Sequence, residues 1–298
     1  SPGPPPGMSP YGASLQLNTV LQVKTNSGTQ VYWLQNAPTF ITSSNEMSFV
    51  DNVWNLTSIF SVLTPSAVTG RGTVTESNGY WVYSYQTGNV SYSLPLHLHL
   101  VTSFTEERNG IDVGFGYVND GVIQWYDNVT IHASGSARLL VSGYSRAPQG
   151  AFYDAELVFG GEGEGESTNF TEMNATLLMT YTLKNGTVVF PKMEYGFGSD
   201  TAESADDLQT LIIDGRAYVV IGSGNFEPLP TQSNELYSIT FIERGLPAGT
   251  EWSVAFNGMT ETTTNETITF SSTPPGLHSY SAASVSPGFH PVNSSGFV

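Results

Sequence analysis

Short runs that alternate apolar and polar residues dominate the chain between residues 11 and 224, and turn-forming residues separate them. In the run LQLNTVLQV, Leu15 and Leu17 fall on one side of an extended backbone, whereas Gln16 and Asn18 fall on the other. A period of two is typical of a half-buried β-strand. The same pattern returns in QVYWLQN and GYWVYSYQTG, so this region is predicted to be all-β.

Many short strands without a repeat of fixed period predict one large two-sheet β-sandwich or jelly roll over residues 11–224. A concanavalin-like arrangement is one form of that architecture. A single stretch, residues 199–212, has a helix-like pattern that Asp200 or Ser204 could cap, and a loop explains it equally well.

Proline-containing stretches bound this region on both sides. Residues 1–10 are predicted to be a Pro-rich linker and residues 225–233 a second linker. Residues 234–298 then predict a small Ig-like β-sandwich. Its inward positions are expected to be Ile239, Phe241, Trp252, Val254 and Phe256. The last residues resemble the beginning of a strand, so we expect an incomplete unit that further sequence or a neighbouring molecule's strand completes.

The composition changes this picture by indicating an environment. The 298 residues include 9 Lys and Arg against 26 Asp and Glu, a net charge of −17, which excludes nucleic acid and anionic lipid as partners. Only 12% of the residues are charged, about half of the usual quarter. Hydroxyl and amide groups do not titrate in acid, so a surface built from them is typical of a protein adapted to low pH.

The chain has no cysteine, which excludes a thiol nucleophile, a cysteine zinc site and disulfides. It has eight Asn-x-Ser/Thr acceptors for N-linked glycans, which favour an extracellular or cell-surface location. They are Asn55, Asn89, Asn128, Asn169, Asn174, Asn185, Asn265 and Asn293.

Common catalytic and nucleotide motifs are missing from the sequence, including the P-loop, the dinucleotide fingerprint and the Gly-x-Ser-x-Gly elbow. His97 and His99 could chelate a metal from one face of a strand, but no third ligand is evident. The EGEGE run, residues 162–166, could hold Ca²⁺, although protonation in acid would release it. We therefore predict no metal and no cofactor.

Acidic residues inside apolar or aromatic segments are more informative, because burial raises a carboxyl pKa. The segments contain Asp51, Asp127, Asp154 with Glu156, and Glu194 with Asp200 and Glu203. Asp154 and Glu156 share one face of a strand, and two neighbouring carboxyls can share one proton, as in acid hydrolases. Alternatively, Asp51 and Asp127 begin turns, as Asp-Asn pairs often do.

Six motifs in order give the chain a family resemblance. They are ASLQLNTVLQV, VYWLQN, VDNVWNLTS, WYDNVTI, FYDAELVFGGEGEG and FGSDTAE. Residues 11–224 thereby resemble the thermopsin family of archaeal acid proteases, and the segment from YSITFIERGLPAGTEWSV resembles a small β-domain of archaeal surface proteins. The resemblance implies a secreted endopeptidase that works on polypeptides in hot acid without a metal and prefers large hydrophobic residues.

Two mechanisms fit such an enzyme. A pair of carboxyls could activate water, with Glu156 joined by Asp51 or Asp154. Alternatively, Glu156 could act with Gln35, as in the glutamic peptidases, and Gln35 would then position the water and stabilise the oxyanion. The candidate catalytic residues are, in order, Glu156, Asp51, Gln35, Asp154 and Glu166, with Asp127 in reserve.

Two other functions remain open at this point. The glycosylated surface and the C-terminal β-domain also suit a cell-surface or filament protein that self-assembles by strand exchange. A glycan-binding or glycan-cleaving jelly roll is the other alternative, in which the aromatic residues of GYWVYSY stack against sugars.

Overall fold

Every regular element in the described part of the chain is a β-strand, which confirms the all-β prediction. No described segment forms a helix long and apolar enough to cross a membrane. The computed structural model describes residues 12–58, 60–77, 80–119, 121–141, 155–162, 166–191, 204–206, 208–213, 216–221, 237–256, 259–273, 279–284, 289 and 295–297.

The first twelve strands form two sheets. They are β1 (Gly12–Thr25), β2 (Gly28–Ile41), β3 (Glu46–Asn55), β4 (Val68–Thr69), β5 (Thr73–Ser77), β6 (Tyr80–Gln86), β7 (Val90–Ser91), β8 (His99–Glu107), β9 (Gly110–Asn119), β10 (Val122–Ile131), β11 (Ser136–Leu140) and β12 (Glu156–Gly160). The large sheet has the order β11-β1-β2-β3-β6-β5, with β12 also paired to β1 and β7 to β3. The small sheet has the order β4-β10-β9-β8.

The long β1–β2 hairpin forms the centre of the large sheet. Gly28 closes it with φ 141°, a backbone conformation that suits glycine, and the Thr25 hydroxyl donates to the Gly28 carbonyl at 2.8 Å. The pairing continues antiparallel through β3 and β6, and β11 and β12 share the other edge of β1. Side chains from β12 through β6 therefore stand in rows across one continuous surface.

One apolar core joins the two sheets, as in a β-sandwich. The large sheet contributes Leu21, Leu34, Phe49, Val53 and Tyr83, and the small sheet contributes Ile111, Val113, Phe115, Val129 and Ile131. We call the side of the large sheet that carries these core residues its inner face and the opposite side its outer face. The Phe49 ring of β3 stacks on the Tyr117 ring of β9 with centroids 4.0 Å apart.

Shorter strands follow in the rest of the predicted large domain. They are β13 (Ser167–Asn169), β14 (Asn174–Leu177), β15 (Tyr181–Thr182), β16 (Val188–Val189), β17 (Ser204–Asp206), β18 (Leu208–Ile213) and β19 (Arg216–Ile221). The helix considered for residues 199–212 is therefore wrong where the structure describes it, because β17 and β18 occupy that stretch. The apolar residues of β18 pair with those of β19, and this tertiary pairing outweighs the local helical pattern.

The C-terminal strands have a core of their own. They are β20 (Tyr237–Ile242), β21 (Trp252–Phe256), β22 (Met259–Thr263), β23 (Thr267–Thr273), β24 (Ser279–Ser284) and β25 (Ser295–Phe297). Trp252, Val254 and Phe256 are buried there, and Ile239 and Phe241 pack against them, as predicted. The strands form two sheets, β20-β23 and β22-β21-β24-β25. The predicted linkers, residues 1–10 and 225–233, lie outside the described residues.

Phe49 is expected to be a major contact between the two sheets. It is 1% exposed, so Phe49→Ala should lower the free energy of unfolding by about 3–5 kcal/mol through lost burial and a cavity. Phe60 is 86% exposed, and Phe60→Ala should change it by less than about 0.5 kcal/mol. Denaturant unfolding followed by tryptophan fluorescence measures both, and equal effects would contradict the assigned core.

Candidate active site

The candidate catalytic residues of the large sheet are divided between its inner and outer faces. Asp51 is opposite Asn36 on β2 and faces inward between Phe49 and Val53. Gln35 and Glu156 face outward, in the row that Asn18 shares with both of them. The structure therefore does not bring Asp51 together with Glu156, although each lies on the large sheet.

On the inner side, Asp51 comes close to Asp127 of the small sheet, and both are fully buried. We call these two residues the inner carboxyl pair. The Tyr83 hydroxyl donates to Asp127 Oδ2 at 2.6 Å, and the backbone N–H groups of Arg71 and Asn128 donate to Oδ1 at 3.2 and 2.8 Å. Three donors thus converge on the carboxyl of Asp127.

The two carboxyls differ in their partners. Neither oxygen of Asp51 has a hydrogen-bond partner among the described residues. Burial, and then the nearby charge of Asp127, raises the pKa of Asp51 to about 9. Asp51 is therefore a neutral acid beside a carboxyl whose two oxygens both accept hydrogen bonds, so the two members of the pair have unequal surroundings.

Both residues of the inner pair lie within strands, so the turn interpretation of Asp51 and Asp127 is wrong. Asp51 lies in β3, and Asp127 lies in β10 immediately after a register shift that begins at Trp125. A β-bulge of this kind redirects side chains, and here it precedes the residue that faces the core. The polar residue type had suggested a turn, but the apolar residues on either side determined the strand.

Asn36, Tyr83 and Tyr126 complete this buried polar zone and were not predicted from the sequence. Asn36 Nδ2 is 2.9 Å from the carbonyls of Val101 and Gly116, and the Tyr126 hydroxyl is 2.9 Å from Asn36 Oδ1. Burial and the two carboxyls raise the pKa of Tyr126. Asn36 and Tyr126 are each next to a candidate residue and lie in the motifs VYWLQN and WYDNVTI, which are the signals that could have indicated them.

On the outer face, four polar side chains form one row across four strands. The register places Glu156 of β12 opposite Asn18 of β1, Asn18 opposite Gln35 of β2, and Gln35 opposite Asn52 of β3. We call these four residues the amide row. Side chains that are directly opposite on neighbouring strands contact one another, so the row forms one continuous strip.

Hydrogen bonds connect the amide row from end to end through Gln16. Asn52 Nδ2 donates to Gln35 Oε1 at 2.7 Å, and Gln35 Nε2 donates to Gln16 Oε1 at 2.8 Å. Asn18 Nδ2 lies 3.4 Å from the same Gln16 oxygen and 3.1 Å from Glu156 Oε1. The two residues of the predicted Glu and Gln mechanism therefore belong to one network.

Burial within this network differs from the expectation for β1. Gln16 and Asn18 point away from Leu15 and Leu17 as predicted, yet the two polar residues are buried whereas the leucines are only half-buried. Gln35 is 8% exposed, and Glu156 and Asn52 are half-buried. The ends of the row thus reach solvent while its centre is enclosed.

Two tryptophans lie beside the amide row on the outer face. Trp33 and Trp54 are directly opposite each other on β2 and β3, two residues along from Gln35 and Asn52. Their ring centroids are 5.7 Å apart, and both rings are half-buried. An apolar aromatic surface therefore adjoins the carboxyl and the amides.

The other predicted acids lie elsewhere. Asp154, Glu194, Asp200 and Glu203 are outside the described residues. Glu166 lies beside Gly161, at the end of β12 opposite to Glu156. There, burial and then the charge of Glu166 raise the pKa of Glu162. Glu166 is thus separated from Glu156 by the length of β12.

The remaining sequence candidates are at the surface. His97 precedes β8 and His99 begins it, and both are exposed. Among the described residues no three His, Asp or Glu side chains cluster as metal ligands would. Asn55 is half-buried and Asn293 is outside the described residues. The exposed glycan acceptors are Asn89, Asn128, Asn169, Asn174, Asn185 and Asn265.

Comparison with known proteins assigns the family. The family model described as Thermopsin matches residues 4–208, which include both faces of the large sheet. Thermopsin of Sulfolobus acidocaldarius is 37% identical to the chain over 246 residues, covering 79% of this chain and 71% of that protein. No solved structure matches the chain. The chain therefore belongs to the thermopsin family, as the sequence motifs predicted.

The inner carboxyl pair should make the fold more stable in acid. The unfolded chain ionises Asp51 above about pH 3.8, whereas the folded protein keeps it neutral up to about pH 9. The free energy of unfolding should therefore fall as pH rises through this window, by at most about 1.4 kcal/mol per pH unit from this group. Denaturant unfolding at several pH values measures the slope.

Asp51→Asn removes this titration while keeping the shape of the side chain, so it should flatten the slope between about pH 4 and pH 9. Glu107→Gln changes an exposed carboxyl on β8 and should leave the slope as it is in the wild type. An Asp51→Asn protein that loses stability with pH as steeply as the wild type would show that Asp51 is ionised in the folded state.

Proposed function

We propose that the protein is a secreted acid endopeptidase that hydrolyses polypeptides at the amide row. Thermopsin is a protease, so membership of its family supports a thermopsin-like peptidase activity, and a protease acts on polypeptide substrates. The low pH, the secretion and the assignment of the site are our inferences from the composition and the geometry.

The observation that carries the assignment is that Glu156 and Gln35 share one hydrogen-bonded row on the outer face. A catalytic group must touch the substrate, and Glu156 is half-buried at the end of its row. Asp51 and Asp127 are fully buried between two sheets, where a polypeptide has no access in this conformation. The partial exposure of Glu156 therefore favours the Glu156 and Gln35 mechanism over the inner carboxyl pair, and Gln35, 8% exposed, is the more enclosed of the two partners.

The backbones that carry Glu156 and Gln35 are two strand spacings apart, about 10 Å. Both side chains are long, and in the proposed mechanism a scissile peptide group and a water molecule bind between their ends. Glu156 would take a proton from the water as the water oxygen bonds to the carbonyl carbon. The carbonyl oxygen becomes an oxyanion and accepts a hydrogen bond from Gln35 Nε2.

The tetrahedral intermediate then collapses. The carbon–nitrogen bond breaks, and Glu156 returns its proton to the leaving amine, so the enzyme ends in its starting state. Trp33 and Trp54 supply an apolar surface beside these groups, where a large hydrophobic side chain of the substrate would be held. This agrees with the preference that the family resemblance implies.

Two features support work in acid outside the cell. Burying the inner carboxyl pair costs the least free energy when Asp51 is protonated, so low pH favours the folded state. A chain with only 12% charged residues and several exposed Asn-x-Ser/Thr asparagines suits an acidic exterior. Attached glycans and self-assembly through the C-terminal strands belong to the same proposal, and the filament and glycan-cleaving functions are its alternatives.

Cleavage of a denatured protein such as casein, in hot buffer from strongly acidic to neutral pH, tests this function. We expect activity that peaks in acid and is indifferent to a chelator. Glu156→Gln should lower kcat by about a hundredfold or more, because it removes the general base. Glu172→Gln makes the same change at an exposed site and should be fully active.

The same assay separates the two carboxyl sites. Asp51→Asn, measured in acid, should retain kcat within about twofold because Asp51 does not touch the substrate. Full activity of Glu156→Gln together with an inactive, folded Asp51→Asn would move catalysis to the inner pair. Absence of cleavage by folded wild-type protein at every pH would favour the surface-assembly alternative.

A further inference from the structure

Ser14 and Gln16 extend the hydrogen-bond network of the amide row to a backbone carbonyl. Because that carbonyl can only accept, the donor and acceptor of every bond in the network are determined. The Ser14 Oγ lies 2.6 Å from the carbonyl oxygen of Gly161. A carbonyl can only accept, so the Ser14 hydroxyl must donate its single proton to it. Toward every other neighbour, the Ser14 oxygen can therefore act only as an acceptor.

This fixes the orientation of Gln16. Gln16 Nε2 lies 3.2 Å from Ser14 Oγ, and only the amide nitrogen can donate to that oxygen. The other end of the Gln16 amide, its carbonyl oxygen, then faces Asn18 and Gln35. Both of these residues must present their NH₂ groups to it, at the 3.4 and 2.8 Å separations described above.

At Asn18 the consequence is a donor aimed at the carboxyl of Glu156. Asn18 Nδ2 faces Glu156 Oε1 at 3.1 Å, so this oxygen accepts a hydrogen bond, which favours the charged form of the carboxyl. Asn18 Oδ1 is buried and has no hydrogen-bond partner in the described residues.

At Gln35 the consequence is a donor for the substrate. Its Oε1 is occupied by Asn52 Nδ2 at 2.7 Å, and one Nε2 hydrogen is directed to Gln16. The second Nε2 hydrogen is uncommitted in the contacts of the described residues. The reversed direction would instead turn a carbonyl toward both Glu156 and the oxyanion, which favours a protonated carboxyl and repels the developing charge.

We propose that Ser14 and Gln16 are positioning residues that set the donor-to-acceptor direction of this hydrogen-bond network, so that Glu156 remains an acceptor and Gln35 a donor. The role of these two residues in catalysis rests on the proposed function, whereas the direction of the hydrogen bonds does not. Neither residue touches the substrate. Ser14 acts through Gln16, and Gln16 acts through Asn18 and Gln35.

Ser14→Ala removes the group that sets the direction, so the Gln16 amide is free to turn over. We expect kcat to fall by about tenfold to a hundredfold, since both catalytic groups lose their fixed orientation, with KM little changed. Ser14→Thr retains the hydroxyl and should restore kcat. The matched control is Ser48→Ala, because Ser48 is buried in the same sheet and its Oγ accepts a hydrogen bond from Gln86 Nε2 at 2.9 Å.

The pH profile distinguishes positioning from a general loss of structure. With Asn18 free to turn its carbonyl toward Glu156, the acidic limb of kcat/KM in Ser14→Ala should move to higher pH. Ser48→Ala should keep the limb of the wild type. Equal kcat and equal acidic limbs in Ser14→Ala and Ser48→Ala would overturn the positioning role.

Neutron diffraction from deuterium-exchanged crystals locates the donor hydrogens directly. It therefore measures the direction of the hydrogen bonds independently of catalytic activity. In the wild type, Gln16 should direct its ND₂ group toward Ser14 and its oxygen toward Asn18 and Gln35. The opposite orientation would overturn the inference at its first step. If the orientation is as expected but Glu156→Gln is fully active, the proposed function is wrong. The positioning role of Ser14 and Gln16 is then wrong too, whereas the direction of the hydrogen bonds is confirmed.

Discussion

The alternation of side chains along β1, β2 and β3 is the constraint on which the rest of the molecule depends. Gln35 and Asn36 are consecutive, yet they point to opposite faces of the large sheet, and so do Asp51 and Asn52. A shift of one residue in register would exchange the faces and bury Gln35 against the small sheet. The long β1–β2 pairing holds this register, so one sheet carries a polar network on its outer face and a carboxyl pair on its inner face without mixing them.

The two polar zones have different physical characters. The inner carboxyl pair costs folding free energy because the Asp51 carboxyl is removed from water and lies close to a second acid. The fold tolerates the pair by keeping Asp51 neutral. The amide row contains mainly neutral groups that are linked by hydrogen bonds through Gln16, with one carboxyl at its end. Acid lowers the cost of the first zone. In the second, the donors around Glu156 and Gln35 have fixed positions, as the proposed hydrolytic mechanism requires, because fixed donors need no reorientation when charge develops.

Much of this could be predicted from the sequence. The strands, the faces of β1 and the C-terminal core followed from the period of two, and the motifs identified the family. Glu156 and Gln35 were predicted as partners, and the structure places them in one network. Asn18 and Gln16, which connect the two, could not be recognised, because polar residues on the solvent side of a strand are the ordinary pattern. Nothing local in the sequence indicates that they are buried.

Local alternation by itself determined which residues share a face of their own strand. It could not determine which strand lies next to which, because that depends on contacts between residues far apart in the chain. Asp51 meets Asp127 only because β3 and β10 belong to two sheets that pack together, and Asn18 meets Glu156 only because β12 returns to the edge of β1. The same long-range packing replaced a possible helix by β17 and β18. The sequence thus contained the chemical groups, and the tertiary structure decided which of them became neighbours.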